Sequence, residues 1–406
     1  MIVVVGAGAA GLAAAIFARA GGRPVTVLET TSDGGRKILI SGGGRCNVLP
    51  EAFEPQRFVS ESPTTLVQRL LRSWPLKGQR AFFENDVGVP LALETESRKW
   101  FPASNRARDV RDGLVALARR AGVVFRFDTE CRDVGPSATG WSVATSRGDI
   151  DAQAVILATG GLSVPATGST GIGLRLAARL GHVVHPTYAA LTPLVAEPPR
   201  HEDLAGVSLT VRLRARSSGR EADAHGGFLF THRGYSGPSV LDVSHIAVRS
   251  AVAGDKRALI RARWCDLGES QWQRELIAAT GLTVTAVARH VPQRLAERLV
   301  GECEIPLHRR AAELRREERR RLIDALVNYE LPWTGDEGYK KAEVTGGGVA
   351  LGEVDPRTLE SRRHRGLFLC GELLDAFGPI GGHNFAWAWA TGRLAGQGAA
   401  DVGGPT

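Results

Sequence analysis

The sequence is poor in paired cysteine, in long apolar runs and in clustered charge. Its five cysteines, Cys46, Cys131, Cys265, Cys303 and Cys370, lie far apart with no C-x-x-C pair. That spacing argues against a redox dithiol and a structural zinc site, so no metal is expected. An odd, scattered set of thiols suits a reducing compartment. Apart from the N-terminus, no stretch approaches the roughly twenty apolar residues of a membrane span. The N-terminal "MIVVVGAGAAGLAAAIFARAGG" lacks the cationic lead of a signal peptide and is interrupted by glycines at 6, 8 and 11. A soluble, cytoplasmic protein without a membrane partner is the expectation. Lys and Arg number 51 against 43 Asp and Glu, a formal charge of +8. The arginines are spread along the chain without interleaved aromatics, which argues against a nucleic-acid partner. There is no GK[ST] element, so nucleoside triphosphate chemistry is not indicated.

What is present is a chain of 406 residues, 43% hydrophobic, enough for a large core and two or three domains. "IVVV" at 2–5 reads as a buried parallel strand, "GAGAAG" follows at once, and "LAAAIFARAG" has the composition of a helix. A second strand, "PVTVLE", ends in Glu29. Strand, GxGxxG, helix, strand and acid in this order read as a dinucleotide-binding βαβ unit. Gly6 permits the tight turn, Gly8 lets a pyrophosphate approach the backbone, and Gly11 lets helix and strand pack closely. Ala9 and Ala10 lie at the helix N-terminus, whose free N–H groups face the phosphates. Glu29 would accept hydrogen bonds from ribose hydroxyls and disfavours a 2′-phosphate there.

The stretch "ETTSDGGR", ending in Gly35 and Arg36, resembles the E…GGR signature of FAD enzymes of the glutathione-reductase structural class. Two further elements resemble that class: "AVILATGG", a strand ending in Thr159, Gly160 and Gly161, and "GLFLCGELLD", carrying Gly371, Glu372 and Asp375. Glu372 stands where an Asp commonly holds the ribityl chain. Arg36 and Lys37 are expected to balance the diphosphate charge. Ser41, Gly42, Gly43 and Gly44 are expected to bring backbone N–H groups close to the flavin. Arg45 is a candidate to hold electron density on the reduced ring or an anionic substrate, and Asn47 belongs to the same run. Cys46 is read as packing in preference to a reactive thiol, because no resolving cysteine is near. Cys131 completes the candidates from the first half of the chain.

Near the C-terminus, "GPIGGHNFAWAWATGRLAG" puts Gly381 and Gly382 before a helical run from about His383 to Leu394. Such a helix N-terminus would favour a reduced flavin, with His383, Asn384 and Phe385 at the cofactor and Asn384 as an extra donor. At least one of Trp387 and Trp389 is expected in the core.

"GRKILISGGGRCN", "GLFLCGELLD" and "GPIGGHNFAWAWATG" together resemble the bacterial flavoprotein family that includes aminoacetone oxidase and the bile-acid dienone reductase, often called BaiN-like. "WFPASNRARDV", "LATGGLSVPATGSTGIGLRLAARLGH" and "FTHRGYSGPSVLDVS" fit as well. The resemblance implies an α/β fold: a Rossmann-type FAD-binding domain of the glutathione-reductase-like class with an inserted β-barrel-like and helical substrate domain. The expected parts are 1–187 for the N-terminal FAD portion, 188–340 for the insertion and 341–406 for the C-terminal FAD portion. Within the insertion, 188–265 reads β-rich and 266–335 helical, with "RRAAELRREERRRLIDAL" as a solvated helix face. "EVTGGGVAL" would re-enter the FAD domain as a strand. Lys99-Trp100 and His383 depart from the usual family wording and could line the substrate cavity.

Only one complete GxGxxG exists; "GSTGIG" at 168–173 has the wrong spacing. NADH or NADPH, if a donor, would therefore bind transiently beside the flavin. The leading expectation is an NAD(P)H-dependent reductase of an activated C=C bond, with a proton donor drawn from His232, Tyr235 or His383. The alternatives are an oxidase or dehydrogenase of a small amine such as an aminoketone, and a non-enzymatic flavin redox sensor. A small-molecule substrate is expected.

Overall fold

The computed structural model describes residues 1–138, 140–254 and 256–402. The chain forms two compact units, residues 1–187 together with 344 onward, and residues 188–343. The first is built on a five-stranded parallel sheet of β1 (Ile2–Val5), β2 (Val25–Leu28), β3 (Val124–Arg126), β4 (Ala154–Leu157) and β5 (Leu367–Leu369), in the order β5-β4-β1-β2-β3. β1 is central, and its four residues are at most 4% exposed. Burial on both faces is why this strand reads as a continuous β-branched run rather than an alternation.

Two helices pack on this core in parallel: α1 (Ala9–Ala20) and α2 (His383–Asp401). Small residues let them approach. A Cβ at Gly392 would lie 2.4 Å from the Ala10 carbonyl oxygen, and one at Gly396 would lie 2.3 Å from that of Ala14. The helix expected to end near Leu394 runs to Asp401, because its apolar face continues through Ala395 and Ala399.

The second unit carries a seven-stranded antiparallel sheet, open-ended, with 329–330 and 335–336 at its edges. In Ser208–Ser217 the inward residues Val211, Leu213 and Ala215 alternate with outward Arg212, Arg214 and Arg216, the period of a half-buried strand. Helices Glu269–Ala278, Thr283–Ala288, Gln293–Glu302 and Arg316–Val327 follow. Leu322, Ile323 and Leu326 of the last turn inward, leaving its arginines on the outer side. One difference from expectation is the helix Pro238–Val252 inside the segment read as β-rich. Its valines and isoleucine suggest a strand, but Val240, Val243, Ile246 and Ala247 fall at helical spacing and are buried, and Pro238 starts the helix after Gly237.

Candidate cofactor and active site

The three glycines after β1 do different jobs. Gly6 has φ +103°, and a Cβ there would lie 2.6 Å from the Ala158 carbonyl oxygen; a Cβ at Gly11 would lie 1.9 Å from the Gly6 carbonyl oxygen. Both positions are closed by backbone. At Gly8 a Cβ would meet nothing within 4 Å, so the second glycine faces open space at the start of α1. The first α-helical bond there runs from the Leu12 amide to the Gly8 carbonyl, at 2.9 Å. The N-cap has no side-chain partner, and no acid occupies the first turn. The preceding N–H groups and the positive helix end are therefore available to an anion. Just past β2, Glu29 Oε2 accepts from the Ala7 amide at 2.8 Å, and Oε1 accepts from the Thr31 amide and hydroxyl at 2.9 and 2.7 Å. The carboxylate is thus oriented in advance. The Thr129 amide donates to the Glu29 carbonyl at 2.9 Å, which brings the start of the strand Cys131–Ser137 into this neighbourhood. Burial, aided by the Asp133 charge, pushes the Cys131 thiol up to about 12, so it packs as a neutral group.

In residues 33–47 the backbone follows expectation more closely than the side chains. Gly42, Gly43 and Gly44 all have positive φ, 56°, 67° and 84°, and their backbone is exposed. Arg36, however, donates to Asp33 Oδ1 at 2.7 Å and to Ser32 Oγ at 3.1 Å. Arg45 pairs with Glu94 at 2.8 Å and lies over the Phe101 ring at 4.1 Å. Both cations thus have protein partners. Cys46 is fully buried with φ 61°, and its amide donates to the Ser41 carbonyl at 3.0 Å. Burial, partly opposed by Ser41, pushes its thiol up to about 12. Asn47 is half-buried beside Gly42.

Lys37 gives a cluster that reading the sequence did not anticipate. Its Nζ donates to Ser163 Oγ and to Glu372 Oε2, both at 2.6 Å, while Glu372 Oε1 accepts from Ser163 Oγ at 2.6 Å and from the Thr345 amide at 2.9 Å. Thr345 Oγ1 also accepts from the Leu162 and Ser163 amides. Burial works to raise the Glu372 carboxyl, but the Lys37 charge and these hydrogen bonds outweigh it and hold it below the usual carboxylate range. Glu372 therefore ties together the segments after Gly35, after Gly161 and after Val344. A Cβ at Gly161 would lie 2.3 Å from Thr345 Oγ1, which explains that glycine. Gly160, with φ +70°, and Thr159 continue the turn after β4, and Gly371, with φ +75°, leads into Glu372. Asp375 is also committed, accepting from the Glu61 amide at 2.7 Å and the Ser60 hydroxyl at 3.1 Å.

Gly381 and Gly382, with φ +102° and +95°, lead into α2. The Asn384 side chain clasps this loop: Oδ1 accepts from the Gly378 amide at 2.9 Å and Nδ2 donates to the Gly378 carbonyl at 3.0 Å. His383 is 5% exposed, and its ring lies against the Ile380 and Ala52 backbone and the Phe58 ring. Burial lowers its pKa to about 4 against smaller opposing effects of Glu54 and the Ile380 and Ala52 backbone, so the ring is neutral. Phe385 stacks on Trp389 with centroids 5.5 Å apart. Both tryptophans are core residues, with Trp387 Nε1 donating to the Gly371 carbonyl and Trp389 Nε1 to that of Val48.

The remaining proton-donor candidates lie in the second unit. His232 is exposed on the turn closed by the Thr231 amide and the Gly234 carbonyl at 2.8 Å. Tyr235 is fully buried, its hydroxyl 2.8 Å from His201 Nδ1. His201 Nε2 in turn meets the Tyr329 hydroxyl at 3.0 Å, which donates to Glu302 at 2.9 Å. Burial pushes the Tyr235 and Tyr329 hydroxyls up. Tyr235 is therefore a core residue of this network.

These residues fit FAD. The open space over Gly8 and the uncapped start of α1 suit the diphosphate, the fixed Glu29 carboxylate suits a ribose, and the exposed backbone of Gly42–Gly44 suits a flat ring. Among the described residues no group of side chains could hold a metal ion, and no helix is long and apolar enough to cross a membrane.

The profile of the family described as "HI0933-like protein Rossmann domain" matches residues 1–398. The chain is 32% identical over 401 residues to the ribosomal RNA dihydrouridine synthase of Escherichia coli K12, covering 96% of this chain and 95% of that protein. It is likewise 32% identical over 412 residues to the 3-dehydro-bile acid delta(4,6)-reductase of Clostridium scindens, covering 98% and 99%. Among solved structures, the 3-ketosteroid delta1-dehydrogenase of Sterolibacterium denitrificans shares the fold, with a TM-score of 0.53 at 13% identity over 98% of this chain and 99% of that one. With a βαβ nucleotide site at one end, a second helix N-terminus from the other, and a family match spanning both, the chain belongs to the HI0933-like Rossmann family and is an FAD-dependent oxidoreductase.

Proposed function

We propose that this protein saturates a carbon–carbon double bond conjugated to a carbonyl, with NADH or NADPH as the hydride source. The observation that carries this is the pair of relatives at equal identity, one named for dihydrouridine synthesis and one for delta(4,6) reduction. Their substrates differ, but both names describe saturation of a C=C bond; for this chain the reading adds a hydride and a proton across such a bond beside a carbonyl, with oxidation of the nicotinamide. FAD bound at this site would supply the hydride-transfer chemistry between nicotinamide and the electron-poor carbon. The chain itself holds the diphosphate at the start of α1 and positions Glu29 for the ribose. For the proton, Tyr235 is committed to His201 and His383 is buried and neutral, so His232, the exposed ring, is the donor to test first.

Of the two substrate classes, uridine within RNA comes first. The formal charge of +8 favours a polyanion over an uncharged ring system. An enzyme acting on one base needs no extended basic stripe, so the spread of arginine that argued against nucleic acid does not exclude it. A steroid-like dienone is the second reading, supported by the bile-acid relative. The test is FAD-loaded protein with NADH or NADPH and either unmodified ribosomal RNA or a 3-oxo-dienone steroid, followed by mass spectrometry for the gain of two hydrogens. Hydrogen peroxide formed from an aminoketone, with no nicotinamide oxidation on either unsaturated substrate, would overturn the proposal and establish an amine oxidase.

A further inference from the structure

We infer that the arginine cluster of residues 309–321, in the second unit, is a docking surface for the phosphate backbone of RNA, an inference that rests on the RNA reading above. Seven of these thirteen residues are arginine, three are glutamate and none is lysine. Buried neighbours fix which way the cations point. Ala311, Leu314, Leu322 and Ile323 are at most 4% exposed, while Arg310, Arg315, Arg316, Arg320 and Arg321 are exposed and Arg309 and Arg319 half-buried. The backbone is pinned as well. The Thr283 amide donates to the Arg309 carbonyl at 2.9 Å, the Ala311 amide to the Gly281 carbonyl at 3.0 Å and the Arg315 amide to Glu318 Oε2 at 2.8 Å.

The chain's own acids do not neutralise this surface. Glu317 takes Arg320 at 3.0 Å and Glu304 takes Arg321 at 3.7 Å, while Glu318 is used on the Arg315 amide. Arg310 and Arg319 donate to the Thr280 and Leu314 carbonyls. Among the described residues neither these two nor Arg309, Arg315 and Arg316 form an ion pair. Counting Glu304 with the three glutamates of the run, a surplus of three positive charges remains (7 − 4). Arg316 and Arg320 are also four apart on one helix, a like-charge spacing that destabilises it unless an anion lies between them. The arginines of the strand Ser208–Ser217 are different: Arg212 meets Asp266 at 3.1 Å, and Arg214 and Arg216 meet Glu221 at 2.7 and 2.6 Å.

The chemistry of the cluster favours phosphate on a strand over a lipid surface. A guanidinium presents a planar fork that matches two phosphate oxygens. A helix lying in a bilayer needs an apolar outer stripe, whereas Leu322, Ile323 and Leu326 of this helix are turned inward. Leu282, bridged to Arg310, and Leu307 are the exposed apolar side chains bordering the cluster, too few to insert. Contacts to phosphate hold a strand without reading its sequence, which suits an enzyme that acts on one base of a long RNA.

The test titrates FAD-loaded full chain onto a fluorescein-labelled fragment of unmodified ribosomal RNA at a series of salt concentrations. Wild type is compared with R309Q/R315Q/R316Q and, as a control of equal charge change, R212Q/R214Q/R216Q. Each phosphate contact adds about 0.7 to 0.9 to the steepness of log affinity against log salt, so the first triple should flatten it by about two to three. The control should keep the wild-type steepness. No flattening in the first triple, or equal flattening in both, overturns the inference, as does a wild type that does not bind RNA, whether or not it binds phosphatidylglycerol vesicles. Should the first triple melt early or lose FAD, R315Q/R316Q takes its place, with a flattening of more than about one expected and none overturning the inference. The gain of two hydrogens is scored separately. RNA bound through this surface with no uridine saturated refutes the RNA reading and upholds the docking surface; saturated uridine with the salt dependence unmoved in the first triple does the reverse.

Discussion

Replacing Gly8 and Gly11 separately with alanine should divide cofactor binding from folding. At Gly11 the new Cβ would stand 1.9 Å from the Gly6 carbonyl oxygen, where real Cβ contacts essentially never come under 3.0 Å. The backbone at the β1–α1 turn must open by at least 1.1 Å (3.0 − 1.9), against an atom fixed by the central strand. Overpacking of this kind costs about 3 kcal/mol, the upper end for inserted methyl groups, or a fall of roughly 10 °C in Tm for a unit of this size. At Gly8 the space is empty to 4 Å and the backbone is extended, with φ −75° and ψ −173°. Alanine there forfeits only the N-cap preference, about 1 kcal/mol. The methyl group nevertheless occupies the room over the helix N-terminus, and FAD affinity should drop at least tenfold, about 1.4 kcal/mol. Thermal melts with and without FAD read both effects, since a ligand at about 100 times its Kd raises stability by about 2.7 kcal/mol. Gly8→Ala should melt near wild type without FAD and gain less from adding it. If Gly8→Ala binds FAD like wild type, or Gly11→Ala melts like wild type, the assignment of these two spaces is wrong.

Other perturbations follow from the same geometry. Glu29→Ala should weaken FAD retention by about 1–3 kcal/mol by removing the ribose acceptor, and unchanged retention on gel filtration would refute that role. Because the Glu372 carboxyl is held below its usual range, its contribution is present above the ordinary carboxylate pKa and is lost as pH falls through the depressed one. Denaturant midpoints of wild type should therefore drop on acidification below about pH 4, and Glu372→Gln should be less stable at pH 7 but flatter in acid. His383 shows the opposite chemistry with the same sign. Its pKa is about 4 folded against 6.5 in water, so the folded state resists the proton and stability falls with pH across that window, by at most about 1.4 kcal/mol per pH unit. His383→Asn should reduce that slope, and an unaltered slope would show that the ring is solvated. Tyr329→Phe should cost about 1 kcal/mol by releasing Glu302 and His201, read by urea titration.

The residues that could be understood from the sequence are those whose role is local. Gly6, Gly8, Gly11 and Glu29 fall within one βαβ unit, where spacing alone fixes which glycine packs and which faces a ligand. Cys46 as packing and the burial of at least one C-terminal tryptophan were also legible, since each depends on composition near the residue. The partners of Lys37, Arg45 and Asn384 were not. Lys37 and Glu372 are 335 positions apart, and no periodicity records such a pairing; a cation near a phosphate loop looks the same whether it faces the phosphate or a remote carboxylate. The helix Pro238–Val252 was hidden because valine and isoleucine favour strands until burial at helical spacing overrides that preference. The His201–Tyr235–Tyr329–Glu302 network was missed because its members come from four separate segments, and only Tyr235 stood in a recognisable motif.

The parallel seating of α2 on α1 has a consequence for the protein's synthesis. Ala10 and Gly392, which touch through bare backbone, are 382 positions apart (392 − 10). During translation the N-terminal βαβ unit leaves the ribosome with one whole side of α1 uncovered, and it stays so until residues 383–401 have been made. Flavin capture in the cell is therefore expected to come late, after the last helix docks, and a ribosome stalled shortly before codon 383 should hold a chain that cannot yet retain FAD.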